Sequence, residues 1–322
     1  MTHAHANPYQ TDFAFYIEQA QVLLEVAPLV FHSGLFAMKG GTAINLFLQD
    51  MPRLSMDIDC VYTPVDQPRD VAFDAIHHTL SEIVREAHRL GFEAFLEDEQ
   101  AAQKIFVKKE GGPALKIEVN PIARGTVLPT VIRTLTPAAE AIFGQNLAVP
   151  LLDPDEIYAG KFAATLTRTH PRDLYDTWKF FETWDGHFTT QQVDTTLVTI
   201  LCGNRPLQET LFRDVFHEDE KTFQNVTLST LREPCDFETL RPVGKRLQAE
   251  LCKALTPAQK RFLVDFHAGH PNWTDLSVPD AQRLPAIRWK AMNLAKLKAL
   301  NPAKFEAQIE AIQSALAKSN WE

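Results

Sequence analysis

Several things are scarce in this 322-residue chain. No run approaches the roughly 18 consecutive apolar residues of a membrane span, so no membrane partner is expected. The opening, Met1 to Gln10, has no basic cluster followed by an apolar core, so no leader is expected either, and the chain reads as a soluble cytoplasmic protein. The four cysteines, Cys60, Cys202, Cys235 and Cys252, lie far apart and form no CxxC pair. That excludes a zinc knuckle or a disulfide framework, and the thiols are expected to be reduced. Neither GxxxxGK[ST] nor GxGxxG occurs, so the chain carries neither a Walker loop nor a dinucleotide fingerprint. There is no internal repeat and no low-complexity segment.

What is present is ample apolar material: 45% hydrophobic and 10% aromatic residues, enough for one large or two modest cores. At roughly 100 to 200 residues per domain, two domains are expected. The formal charge is −9, which taken whole argues against a generic basic nucleic-acid binder. The charge is uneven, however. Residues 241–300 hold eleven basic side chains, ending in Arg288, Lys290, Lys296 and Lys298, against four acidic ones. This stretch is +7 and the remainder −16. It fits either a surface for a polyanion or a set of solvated helix faces.

Patterning divides the chain. Residues 11–30 have helical spacing. Leu35 to Met38 reads as a strand, Lys39-Gly40-Gly41-Thr42 as a glycine turn, and Ala43 to Leu48 as a helix. Asp57 to Tyr62 alternates polar and apolar residues, the period of a half-buried strand. Asp70 to Leu90 predicts a helix ending at Gly91. Three strands are predicted next, Phe92 to Leu96, Lys104 to Lys109 and Leu115 to Val119, the last two joined by a turn at Gly111-Gly112-Pro113. Asp153-Pro154-Asp155-Glu156 then starts a helix strongly, with a cap residue, a proline at the first position and two acids facing the dipole. Pro171 opens another helix, and helical segments follow to the end. An α+β fold is expected: a mixed sheet with flanking helices over 1–150, then a mainly helical domain over 151–322.

Three groups of residues can carry chemistry. Asp57 and Asp59, two apart on a strand, point to one face, and converging carboxylates are costly unless a cation lies between them. Hard oxygen ligands suit Mg2+ or Mn2+. Gly40 and Gly41 allow close backbone approach, and Thr42 can cap the following helix, whose amides face an anion. Each feature alone is also compatible with a solvated strand edge or a plain turn. Together they place a phosphate cradle beside a metal site, as phosphoryl or nucleotidyl transfer requires. Glu118 is a candidate third carboxylate, although Lys116 and Glu118 fit the wet face of an edge strand equally well. The third group, Lys161, Arg168, Arg172, Asp173 and Asp176, spans one helix end and the next helix start. Lys161 can hold a triphosphate, or the group can be a structural salt-bridge cluster.

Met38-Lys39-Gly40-Gly41-Thr42-Ala43-Ile44-Asn45-Leu46, followed by Pro52-Arg53-Leu54-Ser55-Met56-Asp57-Ile58-Asp59, resembles the signature of the AbiEii/AbiGii toxin family of nucleotidyltransferases. These are the toxin halves of bacterial type IV toxin–antitoxin systems. Lys161-x6-Arg168-x3-Arg172-Asp173-x2-Asp176 is similar to the family's second signature, and the tail from Pro285 to Pro302 resembles the end of long members. The resemblance implies a polymerase-β-like nucleotidyltransferase fold with a helical C-terminal domain contributing to the cleft. It also implies Mg2+-dependent use of a nucleoside triphosphate, an RNA acceptor such as a tRNA 3′ end, growth inhibition, and a cognate antitoxin encoded nearby. By position it assigns Asp57, Asp59, Lys161, Asp173 and Asp176 to catalysis. Lys39, Gly40, Gly41, Thr42, Arg53 and Arg172 fall to the nucleotide, and Asp57, Asp59 and Glu118 to the metal. A phosphotransferase or protein-hydroxyl-modifying enzyme on the same fold, or a non-catalytic nucleotide- or antitoxin-binding module, remain the rival readings.

Overall fold

The computed structural model describes residues 9–98, 103–217 and 219–318. The first eight residues of the opening segment lie outside the described residues. The chain divides into two compact units, 1–122 with 130–152 and 220–235, and 123–129 with 153–219 and 236–322.

The first unit is built on a seven-stranded sheet in the order β3-β4-β5-β2-β1-β7-β6. Its elements are α1 (Tyr9–Phe31), β1 (Phe36–Lys39), α2 (Gly40–Ala43), β2 (Asp57–Tyr62), α3 (Arg69–Arg89), β3 (Glu93–Asp98), β4 (Gln103–Lys108), β5 (Leu115–Val119), β6 (Val131–Thr134), α4 (Pro137–Phe143), β7 (Ala148–Leu151) and the short α8 (Glu220–Thr222). Pairing is mixed: β2 runs parallel to β5 and antiparallel to β1, while β4 is antiparallel to both neighbours. The two-residue period of a strand decides what each face holds. Ile58 and Cys60 on β2, Ile105 and Val107 on β4, and Ile117 on β5 are fully buried on one face, which α1 and α3 pack against. Asp57, Asp59, Phe106, Lys116 and Glu118 share the other, half-exposed face.

Two strands, β6 and β7, carry no clear period. β7 is Ala-Val-Pro-Leu, and Pro150 reads as a break. It is accommodated because β7 meets β1 only at Met38↔Leu151, where the Leu152 amide donates to the Met38 carbonyl. Residues 220–235 join this unit through Arg53, paired with Leu231, and through the Leu54 amide, which donates to the Thr230 carbonyl. No local pattern marks that return.

The second unit is helical: α5 (Pro154–Arg168), α6 (Pro171–Thr183), α7 (Thr190–Cys202), α9 (Phe237–Leu240), α10 (Val243–Ala254), α11 (Pro257–Ala268), α12 (Pro285–Leu300) and α13 (Pro302–Ala317). As the sequence requires, the Asp153 carboxylate caps α5 by accepting from the Asp155 amide, with Pro154 at the first position. An aromatic core of Phe162, Phe180, Phe181, Trp184 and Phe188 holds α5 and α6 together, with the Arg246 guanidinium 4.1 Å from the Phe181 ring centre.

Candidate active site

β1 ends at Lys39, which is paired in register with Asp59 of β2, and the chain turns at once into α2. Gly40 makes that turn at φ +76, and a Cβ there would sit 2.5 Å from Asp59 Oδ2. The glycine is required by conformation and by space, since an L side chain is strained at positive φ and would collide with the carboxylate. Gly41 is required by space alone. A Cβ there would lie 2.7 Å from Arg53 Nη2 and 2.9 Å from Ser55 Oγ. Arg53 is itself only 2% exposed, and its Nη1 donates to the Leu54 carbonyl at 2.8 Å.

Thr42 does not cap α2. The cap position is Lys39, and Thr42 lies inside the helix, where its hydroxyl donates to the Asp57 carbonyl at 2.5 Å and stands 3.1 Å from Ser55 Oγ. Its effect is to tie α2 to the start of β2 just where Asp57 projects. Asn45 closes the same turn from the other end, donating to the Gly41 carbonyl at 2.9 Å. Lys39, Gly40, Gly41, Thr42 and Arg53 are thus gathered around one bend, with Asp57 and Asp59 alongside.

Across the parallel β2–β5 pair, Asp57 faces Lys116 and Asp59 faces Glu118. The Lys116 ammonium lies 3.0 Å from Glu118 Oε2 and 3.8 Å from Asp57 Oδ2. Partial burial would lower its pKa, but the Glu118 hydrogen bond and the charges of Asp57, Glu118 and Asp59 outweigh this and raise it. Lys116 was the residue hardest to see as part of the site. Its one sequence signal is the alternation that puts it on the face of Glu118, two positions on.

In the second unit, Lys161 is 7% exposed, with Nζ 2.8 Å from both Asp173 Oδ1 and Asp176 Oδ2. Arg168 adds two hydrogen bonds to Asp173, from Nε at 2.5 Å and Nη2 at 3.1 Å. Burial alone would raise the Asp173 pKa; the Lys161 charge and the Arg168 contacts overcome it and hold the carboxyl well below the usual range. Two cations thus face two carboxylates, with Lys161, Asp173 and Asp176 buried and the Arg168 side chain largely exposed. Thr165 reinforces it, donating to the Asp173 carbonyl at 3.1 Å and meeting Thr177 Oγ1 at 2.8 Å. Arg172 follows in the first turn of α6, where its amide donates to His170 Nδ1.

A family model described as "Nucleotidyl transferase AbiEii toxin, Type IV TA system" matches residues 21–311. The chain belongs to this family. The AbiEii-family chain is accordingly a nucleotidyltransferase of the toxin type, and the family's description implies an antitoxin partner and a nucleoside triphosphate substrate. Among solved structures it is similar to MenT4, a nucleotidyltransferase toxin from Mycobacterium tuberculosis, at 18% identity and a TM-score of 0.58, over 89% of this chain and 95% of that one. This second likeness shows the fold. No curated protein matches the chain.

Among the described residues of this AbiEii-family toxin, no three His, Cys, Asp or Glu side chains are assembled to hold a metal ion. The donor set still fits Mg2+. That ion keeps several waters and is bound through one or two carboxylates plus substrate phosphates, and two hard-oxygen donors share a face here. Glu118 is engaged by Lys116. The basic 241–300 stretch is less available than its charge suggests. Arg241 pairs with Glu238, Lys253 with Glu250 and Arg261 with Asp275, while Lys290 donates to the Gly203 and Arg205 carbonyls. Arg288 and Lys296 remain exposed on α12. No helix among the described residues is long and apolar enough to cross a membrane.

Proposed function

We propose that this chain transfers a nucleoside monophosphate from a nucleoside triphosphate to a hydroxyl of RNA, at a 3′ end such as that of tRNA, and so inhibits growth. One observation carries the reading. Asp57 and Asp59 project side by side from β2, and the backbone at Gly40 approaches Asp59 so closely that no side chain fits.

Asp57 and Asp59 would hold Mg2+ or Mn2+, with Glu118 joining them where Lys116 gives way. When bound, the metal supplies charge to orient the α-phosphate and stabilise departing pyrophosphate. At the Gly40–Thr42 bend the half-buried Lys39 and Gly40 would present the surface that meets the triphosphate, while Gly41 and Thr42 lie buried behind them. Arg53, buried against Gly41, keeps that surface in place. Thr42 fixes the Asp57 backbone, and the attacking hydroxyl approaches in line. For Lys161, Asp173 and Asp176 we propose a catalytic role, and for Arg172 a role in binding the nucleotide. The cytoplasm is the compartment that offers both nucleotides and RNA, and a cognate antitoxin encoded nearby would restrain the activity.

Incubation with ATP, GTP, CTP and UTP labelled in turn at the α- and γ-phosphate tests this. Label from the α-position should appear in RNA. Label from the γ-position in RNA or protein would show a phosphotransferase instead, and α-label confined to protein would show a protein-modifying enzyme.

A further inference from the structure

Phe106 of β4 and Phe95 of β3 have no part in the proposed binding of metal or triphosphate. Register places them in one row with the carboxylates: Asp57 faces Lys116, Lys116 faces Phe106, and Phe106 faces Phe95. All four point to the half-exposed face. At the usual strand spacing the two rings stand about 10 and 14 Å from Asp57. They are stacked, with centroids 5.2 Å apart and planes at 23°, and Phe95 is 57% exposed at the sheet's edge. A cross-strand aromatic pair steadies a sheet. That role accounts for the pairing but leaves a flat apolar surface open to water beside a row of charges.

Resting on the nucleotidyl-transfer reading above, we infer that Phe106 and Phe95 form a stacking platform for the unpaired terminal bases of the RNA acceptor. Sheet order supplies the direction. The Gly40–Thr42 bend that receives the triphosphate lies on the β1 side of Asp57 and Asp59, whereas β5, β4 and β3 extend from the other side. In-line transfer needs the attacking hydroxyl opposite the leaving pyrophosphate, so the acceptor comes across β5, β4 and β3. There it meets the two rings. Every base has a π-face, so such a platform holds single strands with little regard to sequence.

Charge fits the same occupant. Lys104 and Lys108 flank Phe106 on its own face, two residues to either side. They are paired across the strands with Glu97 at 4.0 Å and Glu93 at 2.9 Å. Partly exposed pairs of this kind are weak, so both ammonium groups can turn to phosphates. The glutamates beyond them limit the track to the width of the platform.

The test uses the full-length protein, a short 5′-fluorescein single-stranded RNA and the same RNA as a blunt duplex. Phe95→Ala and Phe106→Ala should each raise the Kd and the KM for the single strand by roughly 5- to 150-fold. The KM for the nucleoside triphosphate should stay within about twofold, and duplex binding should be little changed, as expected for loss of stacking alone. Phe106→Leu keeps apolar volume without a π-face and should behave like the alanine variant, while Phe106→Trp should retain binding. Unchanged single-strand affinity in both alanine variants overturns the platform, as does rescue by leucine or a rise confined to the KM for the nucleotide. A wild-type protein that binds no RNA overturns it too. Binding through the rings without any transfer to RNA upholds the platform and overturns the acceptor reading.

Discussion

Gly40 sets how close the chain comes to Asp59. Its φ of +76 and the 2.5 Å between its missing Cβ and Asp59 Oδ2 act together. Gly40→Ala should therefore cost about 1 to 2 kcal/mol in backbone strain alone and turn Asp59 away from its position. Transfer should fall by at least tenfold with a melting temperature only a few degrees lower, measured by rate and by thermal unfolding. His267 gives the stability a pH dependence. Burial, aided by the Lys290 charge, pushes its pKa from 6.5 down to about 4, against the pull of its hydrogen bond to the Leu263 carbonyl. The unfolded chain binds the proton more readily, so this contribution is complete above pH 6.5 and is lost as pH falls towards 4. It is worth on the order of 3 kcal/mol. His267→Gln should flatten the decline in melting temperature between those two pH values.

At the scale of elements, the α5–α6 corner brings together a charge cluster whose two possible roles can be separated. Removing Lys161 takes away a cation 2.8 Å from both buried carboxylates, although Asp173 keeps Arg168, a loss of roughly 3 to 5 kcal/mol. Lys161→Met should lower the melting temperature sharply and abolish transfer. Adding Asp176→Asn should recover much of the melting temperature and none of the transfer; recovery of both would make the cluster a brace and nothing more. The corner was legible in the sequence because helix starts are written locally, in Asp153-Pro154 and Pro171, and because Lys161, Asp173 and Asp176 fall on their inward faces. β2 was legible for the same reason, its alternation reproduced as strand Asp57–Tyr62. β6 and β7 were not: four residues are too few to show a period, and Pro150 looks like a break until β1 is seen to meet β7 at one position. Lys116 and the ring pair were hidden because their importance lies in register between strands, which no single strand records.

Across the whole molecule, the −9 charge and the +7 stretch are poor guides until contacts are assigned. Several cations of residues 241–300 are engaged by neighbouring acids, aromatic rings or helix-end carbonyls. Lys245 on α10 is exposed, as are Arg288 and Lys296 on α12, where Arg288 adjoins Trp289, which is 60% exposed. Division into units is likewise a long-range property, since residues 220–235 belong with the sheet although 153–219 belong with the helices. The central claim, that Asp57 and Asp59 serve nucleotide transfer to RNA, is tested most directly by sequencing RNA 3′ ends. Purified wild-type, Asp57→Ala and Asp59→Ala proteins would each be incubated with total RNA, Mg2+ and one nucleoside triphosphate at a time. The wild type should leave added nucleotides on 3′ ends, and each variant should lose more than about tenfold of that addition, the scale of lost metal-assisted charge stabilisation. Unextended ends with the wild type, or ends extended equally by either variant, would contradict it.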